Sequence, residues 1–159
     1  MESVIEKNGS FLFVRLAPGE ELFDGILKAC SDAGVKYGTI VSCIGSLSQT
    51  TYTMPRDEPK SITKIAYRDL MVASRPSELI CAQGTIGSSE GGPDMHMHAL
   101  MVDADGRLFA GHMAKGCIIC ATMEICIAVT ESGEFVREYD ETLHFSLFHM
   151  MSKTHAGHR

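Results

Sequence analysis

Three of the chain's seven histidines lie within seventeen residues, at His96, His98 and His112. Alternate residues of a β-strand share a face, so His96 and His98 point the same way if this stretch is a strand. The neighbouring Met95 and Met97 then point the other way, toward a core. Imidazole nitrogens bind zinc and several other transition metals. The spacing therefore predicts a strand with one apolar face and one face that can hold a metal ion.

The turn at residues 103–107 (DADGR) decides whether the third histidine joins the other two. If the loop has three residues, 104–106, His98 lies directly opposite His112 on the neighbouring strand. A two-residue loop, 105–106, would instead move His112 to the other face. The alternative to a metal site is a polar sheet face that meets solvent or another subunit. The metal hypothesis thus depends on the length of this turn.

Glu124 is the candidate catalytic residue, because it is an acid within the apolar run ATMEICIA. A carboxylate there costs free energy unless it is paired or accessible. It could face the histidines as a proton donor or acceptor. The alternative is a salt bridge with Arg68 or Arg107. Cys117 and Cys120 have the spacing of a redox or metal pair, but residues three apart in a strand face opposite ways, so we expect structural thiols.

Two further features leave alternatives open. The Gly- and Ser-rich segment 87–94 leads directly to His96 and is either a lid or a plain connector. His144 and His149 lie five residues apart, a spacing that defines no geometry. We expect these two histidines to take no part in the site.

The elements that must position these residues are one helix and a set of strands. Apolar residues recur every three or four positions over residues 20–33, acids occupy the first turn, and Gly34 follows as a stop signal. Segments rich in β-forming residues precede and follow this helix. They are residues 10–16, 37–47, 50–54, 62–70, 77–86, the histidine hairpin, 117–130 and 134–148, the last passing into a short turn or helix. We predict an α+β fold with a mainly antiparallel sheet of about eight strands and one main helix at about 20–33.

Length and composition limit the classes of function. A chain of 159 residues fits one domain, which we place at 10–148, with an N-terminal arm at 1–9 and a flexible tail at 149–159. The net charge of −6, with 14 Lys and Arg and no basic run, works against binding DNA or anionic membranes. The sequence has no signal-peptide pattern and no membrane-length apolar stretch, which predicts a cytoplasmic protein. We expect its six cysteines to be buried thiols.

Several motifs together resemble the plants-and-prokaryotes conserved domain, called the PPC domain. They are RLAPGEELFDGILKAC (15–30), IGSL (44–47), GTI (84–86), HMHALMVDADGRLFAGHMAKG (96–116) and TMEICIAV (122–129). The resemblance covers about residues 10–148, nearly the whole chain. It implies a compact α+β unit in which a helix packs on an antiparallel sheet.

The resemblance also implies function. Prokaryotic PPC proteins usually form homotrimers, and some bind a metal, typically zinc, through the histidines that match His96, His98 and His112. Plant members carry AT-hooks and act in transcription, whereas this sequence has no Arg-Gly-Arg-Pro hook. The fold and the three-histidine motif are also similar to those of acetolactate decarboxylase, which holds zinc on a similar hairpin.

Three functions follow from these resemblances. The first is a homotrimeric metal-binding protein, with zinc as the metal, that acts in small-molecule binding or assembly. The second is a zinc-dependent lyase, similar to a decarboxylase, that acts on a small carbonyl acid with Glu124 as its acid or base. The third is a DNA-binding or transcription-associated protein, against which the missing hook and the negative charge argue.

Overall fold

The computed structural model describes residues 2–6 and 11–152, with side chains for residues 11–152. Within these ranges the chain forms one helix, α1 (Leu22–Asp32), and twelve strands. The strands are β1 (Glu2–Glu6), β2 (Phe11–Leu16), β3 (Gly38–Thr53), β4 (Pro55–Asp57), β5 (Ile65–Tyr67), β6 (Met71–Ala73), β7 (Ser77–Ser89), β8 (Gly92–Asp103), β9 (Leu108–Met113), β10 (Ile118–Val129), β11 (Gly133–Asp140) and β12 (Phe145–Ser152). The predicted α+β class is confirmed, although with more strands than expected.

Ten of the strands form one mainly antiparallel sheet, and β4 pairs with β5 in a separate small sheet. The long strand β3 pairs with β7 and also with β10 and β9. Strands β7, β8 and β9 pair in succession. Strands β3, β7, β8 and β9 therefore close into a ring. Both strands that carry the three histidines are thus held by a neighbour on each side.

Alternation along the strands separates a buried face of the sheet from an outer face. On β2, Leu12 and Leu16 are buried, whereas Phe13 between them is about half exposed. On β8, Met95 and Met97 are buried in the same way. The helix α1 covers this buried face and packs against β2 and β8. The histidines at alternate positions of β8 therefore belong to the outer face.

The helix matches the predicted segment 20–33, beginning two residues later and ending one residue earlier. Glu21 caps its first turn, where one carboxylate oxygen accepts the backbone N–H of Asp24 at 2.8 Å. The other oxygen accepts the N–H groups of Gly116 at 3.0 Å and Cys117 at 3.1 Å. The Glu21 carboxylate thus caps the N-terminus of the helix and also hydrogen-bonds to the loop that precedes β10.

The segment 134–148 forms a hairpin of β11 and β12, so the prediction of one strand passing into a turn or helix was incomplete. The Asp140 carboxylate accepts the backbone N–H groups of Thr142 at 2.8 Å and Leu143 at 2.9 Å. His144 then adopts the left-handed conformation, with φ of 58°. Asp140 therefore closes a tight turn by side-chain hydrogen bonds, which the apolar pattern alone does not reveal.

The predicted strand 62–70 is also broken. Only β5 within it is extended, and the chain reverses before it through a loop in which the N–H of Glu58 donates to the carbonyl oxygen of Lys64 at 3.0 Å. Lys64 is left-handed, with φ of 62°. The reversal lets β5 pair with β4 and brings Tyr67 opposite Pro55.

The segment 87–94 is not a lid. It forms the end of β7 and the start of β8, in which Ser89 pairs with Gly92 around the two-residue turn 90–91. Both arms of this segment are therefore paired with each other in the sheet. The interpretation as a lid is wrong, because the Gly and Ser residues form a tight hairpin.

The two ends of the chain were predicted as an arm at 1–9 and a tail at 149–159. In the structure β1 pairs with β2, and residues 149–152 belong to β12. Residues 1, 7–10 and 153–159 lie outside the described residues, and the arm and tail boundaries stay predictions. Among the described residues, no helix is long and apolar enough to cross a membrane.

Candidate metal centre

The turn between β8 and β9 has the three-residue form that the metal hypothesis required. The N–H of Asp103 donates to the carbonyl oxygen of Arg107 at 2.9 Å, and Gly106 is left-handed, with φ of 78°. As a result, His98 lies directly opposite His112. The predicted register is confirmed, and it places both side chains on the outer face of the sheet.

The three imidazoles converge. The Nε2 atoms of His96 and His98 lie 3.0 Å apart, and His96 Nε2 lies 3.2 Å from His112 Nδ1. One nitrogen from each ring falls within 4.8 Å of the other two. The sequence-based expectation that these side chains meet is therefore confirmed.

Two of the three nitrogen separations suit a tetrahedral metal ion. Zinc binds imidazole nitrogens at about 2.0–2.1 Å, so two nitrogens on one tetrahedral ion lie about 3.3 Å apart. The separations of His96 from His98 and from His112 are close to this value. Imidazole pairs at this distance can also share one N–H···N hydrogen bond, which depends on the tautomer. Three protein nitrogens leave one position of a tetrahedral ion open, as in catalytic zinc sites.

The electrostatic surroundings favour neutral imidazoles. The pKa of His112 is lowered to about 4, first by burial and then by the charges of His96, His98 and Arg137. Burial also lowers the pKa of His96, and the charges of His98 and Arg137 act in the same direction, whereas Asp94 opposes them. Neutral imidazole is the form whose ring nitrogen binds a metal.

A cavity of about 550 Å³ opens beside His96 and His112. Its walls include side chains from β5, β11 and β12 as well as the two histidines. The Tyr67 ring on β5 packs against His112 with centroids 5.3 Å apart, and it meets the Phe145 ring of β12 edge-on at 5.8 Å. His98 instead lines a smaller recess of about 360 Å³. The three-histidine cluster therefore lies between two openings, with the larger one on the side of His96 and His112.

Arg137 reaches this cavity through a non-local strand pairing. β11 pairs in parallel with the end of β7, which places Arg137 opposite Ser89. Its Nη1 lies 3.5 Å from Oδ2 of Asp94, two residues before His96. Its guanidinium carbon lies 5.8 Å from the centre of the Phe148 ring. A cation is thus held next to the histidine cluster.

Glu124 occupies a different part of the outer face. It is exposed on β10, opposite Arg15 on β2 and Ile44 on β3. Over residues 11–152 the ion pairs do not include one between Glu124 and Arg68 or Arg107. The structure therefore gives Glu124 neither of the predicted salt-bridge partners.

The register also separates Glu124 from the histidines of its own chain. His112 lies opposite Thr53, nine residues along β3 from Ile44, the partner of Glu124. Nine residues span roughly 30 Å of strand. Glu124 therefore shares the outer face with the histidines, but its position along the sheet keeps it out of the cluster.

His144, which we expected to take no part, lies in the cavity wall. Its Nδ1 is 3.3 Å from the Tyr139 hydroxyl, and Tyr139 and Arg137 line the same cavity. By contrast, His149 is exposed on β12 and does not line it. The sequence did contain a signal for two of these cavity residues. Arg137 and Tyr139 are alternate residues of a strand-like segment, so their side chains share a face.

The cysteines divide into two groups. Burial raises the pKa of the Cys30 and Cys117 thiols to about 11 and that of Cys43 to about 12. Cys81 and Cys120 are exposed. The prediction of buried thiols thus applies to only part of the set. Cys117 is buried just before β10, Cys120 is exposed on β10, and Cys126 is partly buried.

Comparison with known proteins identifies the domain. Residues 4–131 match the Plants and Prokaryotes Conserved (PCC) domain, the family abbreviated PPC above. The chain is 28% identical over 138 residues to a protein of Synechococcus sp. (strain JA-3-3Ab) named bifunctional protein GlmU. That alignment covers 86% of this chain but 20% of the Synechococcus protein. The chain therefore spans about a fifth of the length of this relative.

Solved structures share the fold at low sequence identity. A suggested DNA-binding protein from Bacteroides thetaiotaomicron superimposes with a TM-score of 0.74 at 22% identity, covering 92% of this chain and 96% of that one. A metal-containing protein from Archaeoglobus fulgidus gives a TM-score of 0.69 at 22% identity, with the same coverage. These similarities establish the fold.

Proposed function

Because the chain belongs to the Plants and Prokaryotes Conserved domain family, we propose that it is a cytoplasmic homotrimeric metal-binding protein. Its metal is zinc, held by His96, His98 and His112, and its role is small-molecule binding or assembly. One observation carries this proposal: three imidazole nitrogens converge within 4.8 Å on one face of the sheet. Such a group of imidazole ligands on paired strands is already oriented for a metal ion.

The choice of zinc rests on the family resemblance, and the geometry is compatible with it. Imidazole also binds Fe, Ni and Cu, so ligand type alone does not select the metal. The nitrogen separations of 3.0 and 3.2 Å suit the short bonds and tetrahedral arrangement of zinc. The metal-containing description of the Archaeoglobus protein supports a metal in this fold.

The outer face of the sheet supports self-association. Phe13 on β2, Ile44 on β3 and Ile80 on β7 are each close to half exposed, although the residue before each of them, Leu12, Cys43 and Leu79, is buried. Apolar surface of this kind is usually covered by a partner. A second and third copy of the chain are the partners that the family resemblance implies.

The metal proposal is tested by the metal content of protein purified without a His-tag or added metal. We expect close to one zinc per chain in the wild-type protein. The His98→Ala variant should lose most of it, because two ligands hold zinc far less tightly than three. His149→Ala is the matched control, since His149 is exposed on β12 outside the cluster, and it should keep its zinc. Equal zinc in His98→Ala and wild-type protein would refute the site.

A zinc-dependent lyase acting on a small carbonyl acid is the second candidate. The observation in its favour is the cavity of about 550 Å³ beside His96 and His112, which gives a substrate access to the open metal position. A bound metal would supply a Lewis acid that polarises a carbonyl oxygen. Because Glu124 lies elsewhere in the chain, the groups that could move a proton are Tyr67, Tyr139 and His144, which line the cavity.

This second candidate is tested by CO₂ release. Zinc-loaded protein should release CO₂ from a small 3-oxo acid faster than the His98→Ala variant does. Equal rates from both proteins would exclude decarboxylation at this metal. A role in direct DNA binding has less support, because the net charge of −6 opposes attraction to phosphates.

A further inference from the structure

The cavity beside the histidines has features that a metal site alone does not require. Its walls combine one cationic side chain with a group of aromatic and aliphatic ones. We infer that this cavity binds a carboxylic acid with an apolar or aromatic body, and that Arg137 holds the carboxylate. The inference rests on the proposed function, since it assigns a ligand class to the same site, but anion binding by Arg137 can be measured separately from metal binding.

Arg137 is oriented for this role. Its Nε donates to the carbonyl oxygen of Ser146 at 3.4 Å, its Nη1 lies 3.5 Å from the Asp94 carboxylate, and Phe148 packs against its guanidinium group. These contacts define the plane of the group. Among the described residues Nη2 makes no hydrogen bond or ion pair, so donors remain for a ligand. A guanidinium group binds a carboxylate with two parallel N–H···O bonds.

The charge in the cavity favours an anion. Among the described residues that line it, Arg137 is the one Lys or Arg side chain, and the lining contains no Asp or Glu. His96 and His112 line the same cavity as Arg137. A divalent metal on the histidines would add positive charge of its own. A carboxylate entering the cavity would therefore be attracted to both groups.

The remaining walls favour an apolar body. Tyr67 and Phe145 meet edge-on at 5.8 Å, and Phe148, Leu143 and Leu147 extend the same surface. A volume of about 550 Å³ exceeds the need of a two- or three-carbon acid and lies within the usual range of small-molecule pockets. An aromatic or branched aliphatic acid would fill this space and displace water from the rings.

The experiment compares three small probes by titration calorimetry on the zinc-loaded protein. Phenylacetate has both the carboxylate and the ring, phenylacetamide lacks the charge, and acetate lacks the ring. We expect phenylacetate to bind at least about tenfold more tightly than either of the others. Equal binding of phenylacetate and phenylacetamide would overturn the role of charge, and equal binding of phenylacetate and acetate would overturn the apolar body.

Variants then locate the anion site. Arg137→Met keeps the apolar stem and should weaken phenylacetate binding about tenfold or more, whereas Arg137→Lys should lose less. Arg75→Met is the matched control, because Arg75 is exposed, pairs with Asp105 and does not line the cavity. A change of the same size in Arg75→Met and Arg137→Met would overturn the assignment.

A measurement on wild-type protein covers the case in which Arg137→Met fails to fold. Phenylacetate should shift the amide NMR signals of Arg137, Phe145 and Phe148, and unchanged signals would refute binding there. Zinc content is measured in every sample. Full zinc without phenylacetate binding overturns this inference and leaves the metal proposal standing, whereas phenylacetate binding without zinc overturns the metal proposal alone.

Discussion

At the scale of single residues, Gly84 on β7 controls how closely β8, the strand of His96 and His98, can lie against β7. Gly84 lies opposite Met97 on β8. A Cβ atom added at Gly84 would lie 2.1 Å from the backbone carbonyl oxygen of His96. Backbone cannot yield as a flexible side chain does, so any larger residue must displace β8 where it positions His96.

The Gly84→Ala variant should therefore lose both stability and metal. Overpacking of this kind costs about 1–3 kcal/mol, which urea denaturation would measure. Zinc affinity should fall together with stability, because His96 moves relative to His112. Gly91→Ala is the control, since a Cβ there meets only the Ser89 hydroxyl at 3.9 Å. Unchanged zinc affinity in a destabilised Gly84→Ala protein would show that the ligand geometry tolerates the displacement.

At the scale of elements, the β11–β12 hairpin forms the wall of the cavity that faces the histidines. It carries Arg137 and Phe148 and is closed by the Asp140 carboxylate, which accepts two backbone N–H groups. Among the described residues, its pairing with the rest of the sheet is confined to Val136 and Arg137 of β11, which lie opposite Ser88 and Ser89 on β7. The position of the β11–β12 hairpin therefore depends strongly on the turn at Asp140 that joins its two strands.

Replacing the turn acid should loosen the wall without affecting the metal. Asp140→Ala leaves two N–H groups without their acceptor, at a cost of about 1 kcal/mol in the free energy of unfolding. We expect weaker phenylacetate binding by calorimetry and an unchanged zinc content, because the ligands lie on β8 and β9. Glu141→Ala, an exposed change in the same loop, should leave both unaffected. Loss of zinc in Asp140→Ala would mean that the hairpin also supports the metal ligands.

At the scale of the whole molecule, the outer face of the sheet carries both the histidines and the exposed apolar side chains. Phe13 is one of these side chains, 48% exposed between two buried leucines. The monomer mass is 17.3 kDa, so a trimer has three times this mass, about 52 kDa. Assembly through this face would bury the apolar residues. The cavity, which β11 and β12 border, would remain outside the interface.

A charge on this face should dissociate the assembly. Light scattering after size exclusion should give about 52 kDa for wild-type protein and a mass close to 17.3 kDa for Phe13→Glu, because an uncompensated carboxylate would be buried at the interface. Ile62→Glu is the control, since Ile62 is equally apolar and 62% exposed but lies in the loop before β5. A monomeric wild-type protein would contradict the proposed trimer, and a trimeric Phe13→Glu protein would place its interface elsewhere.

The sequence by itself determined the local part of the site. Strand parity aligned His96 with His98, and the turn ending at Gly106 placed His112 opposite His98. Helix α1 was equally predictable from its apolar spacing and its stop signal at Gly34. These features depend on residues close together in the chain, whose geometry follows from backbone conformation and side-chain alternation.

Only the tertiary structure decided which distant groups share the site. It brought Arg137 and Tyr67 to the histidines and kept Glu124 away from them. The parallel pairing of β11 with β7 and the position of each strand along β3 depend on contacts between segments far apart in the chain. A local pattern determines the face on which a side chain lies. Its position along the sheet is set by packing and strand register, which involve the whole fold.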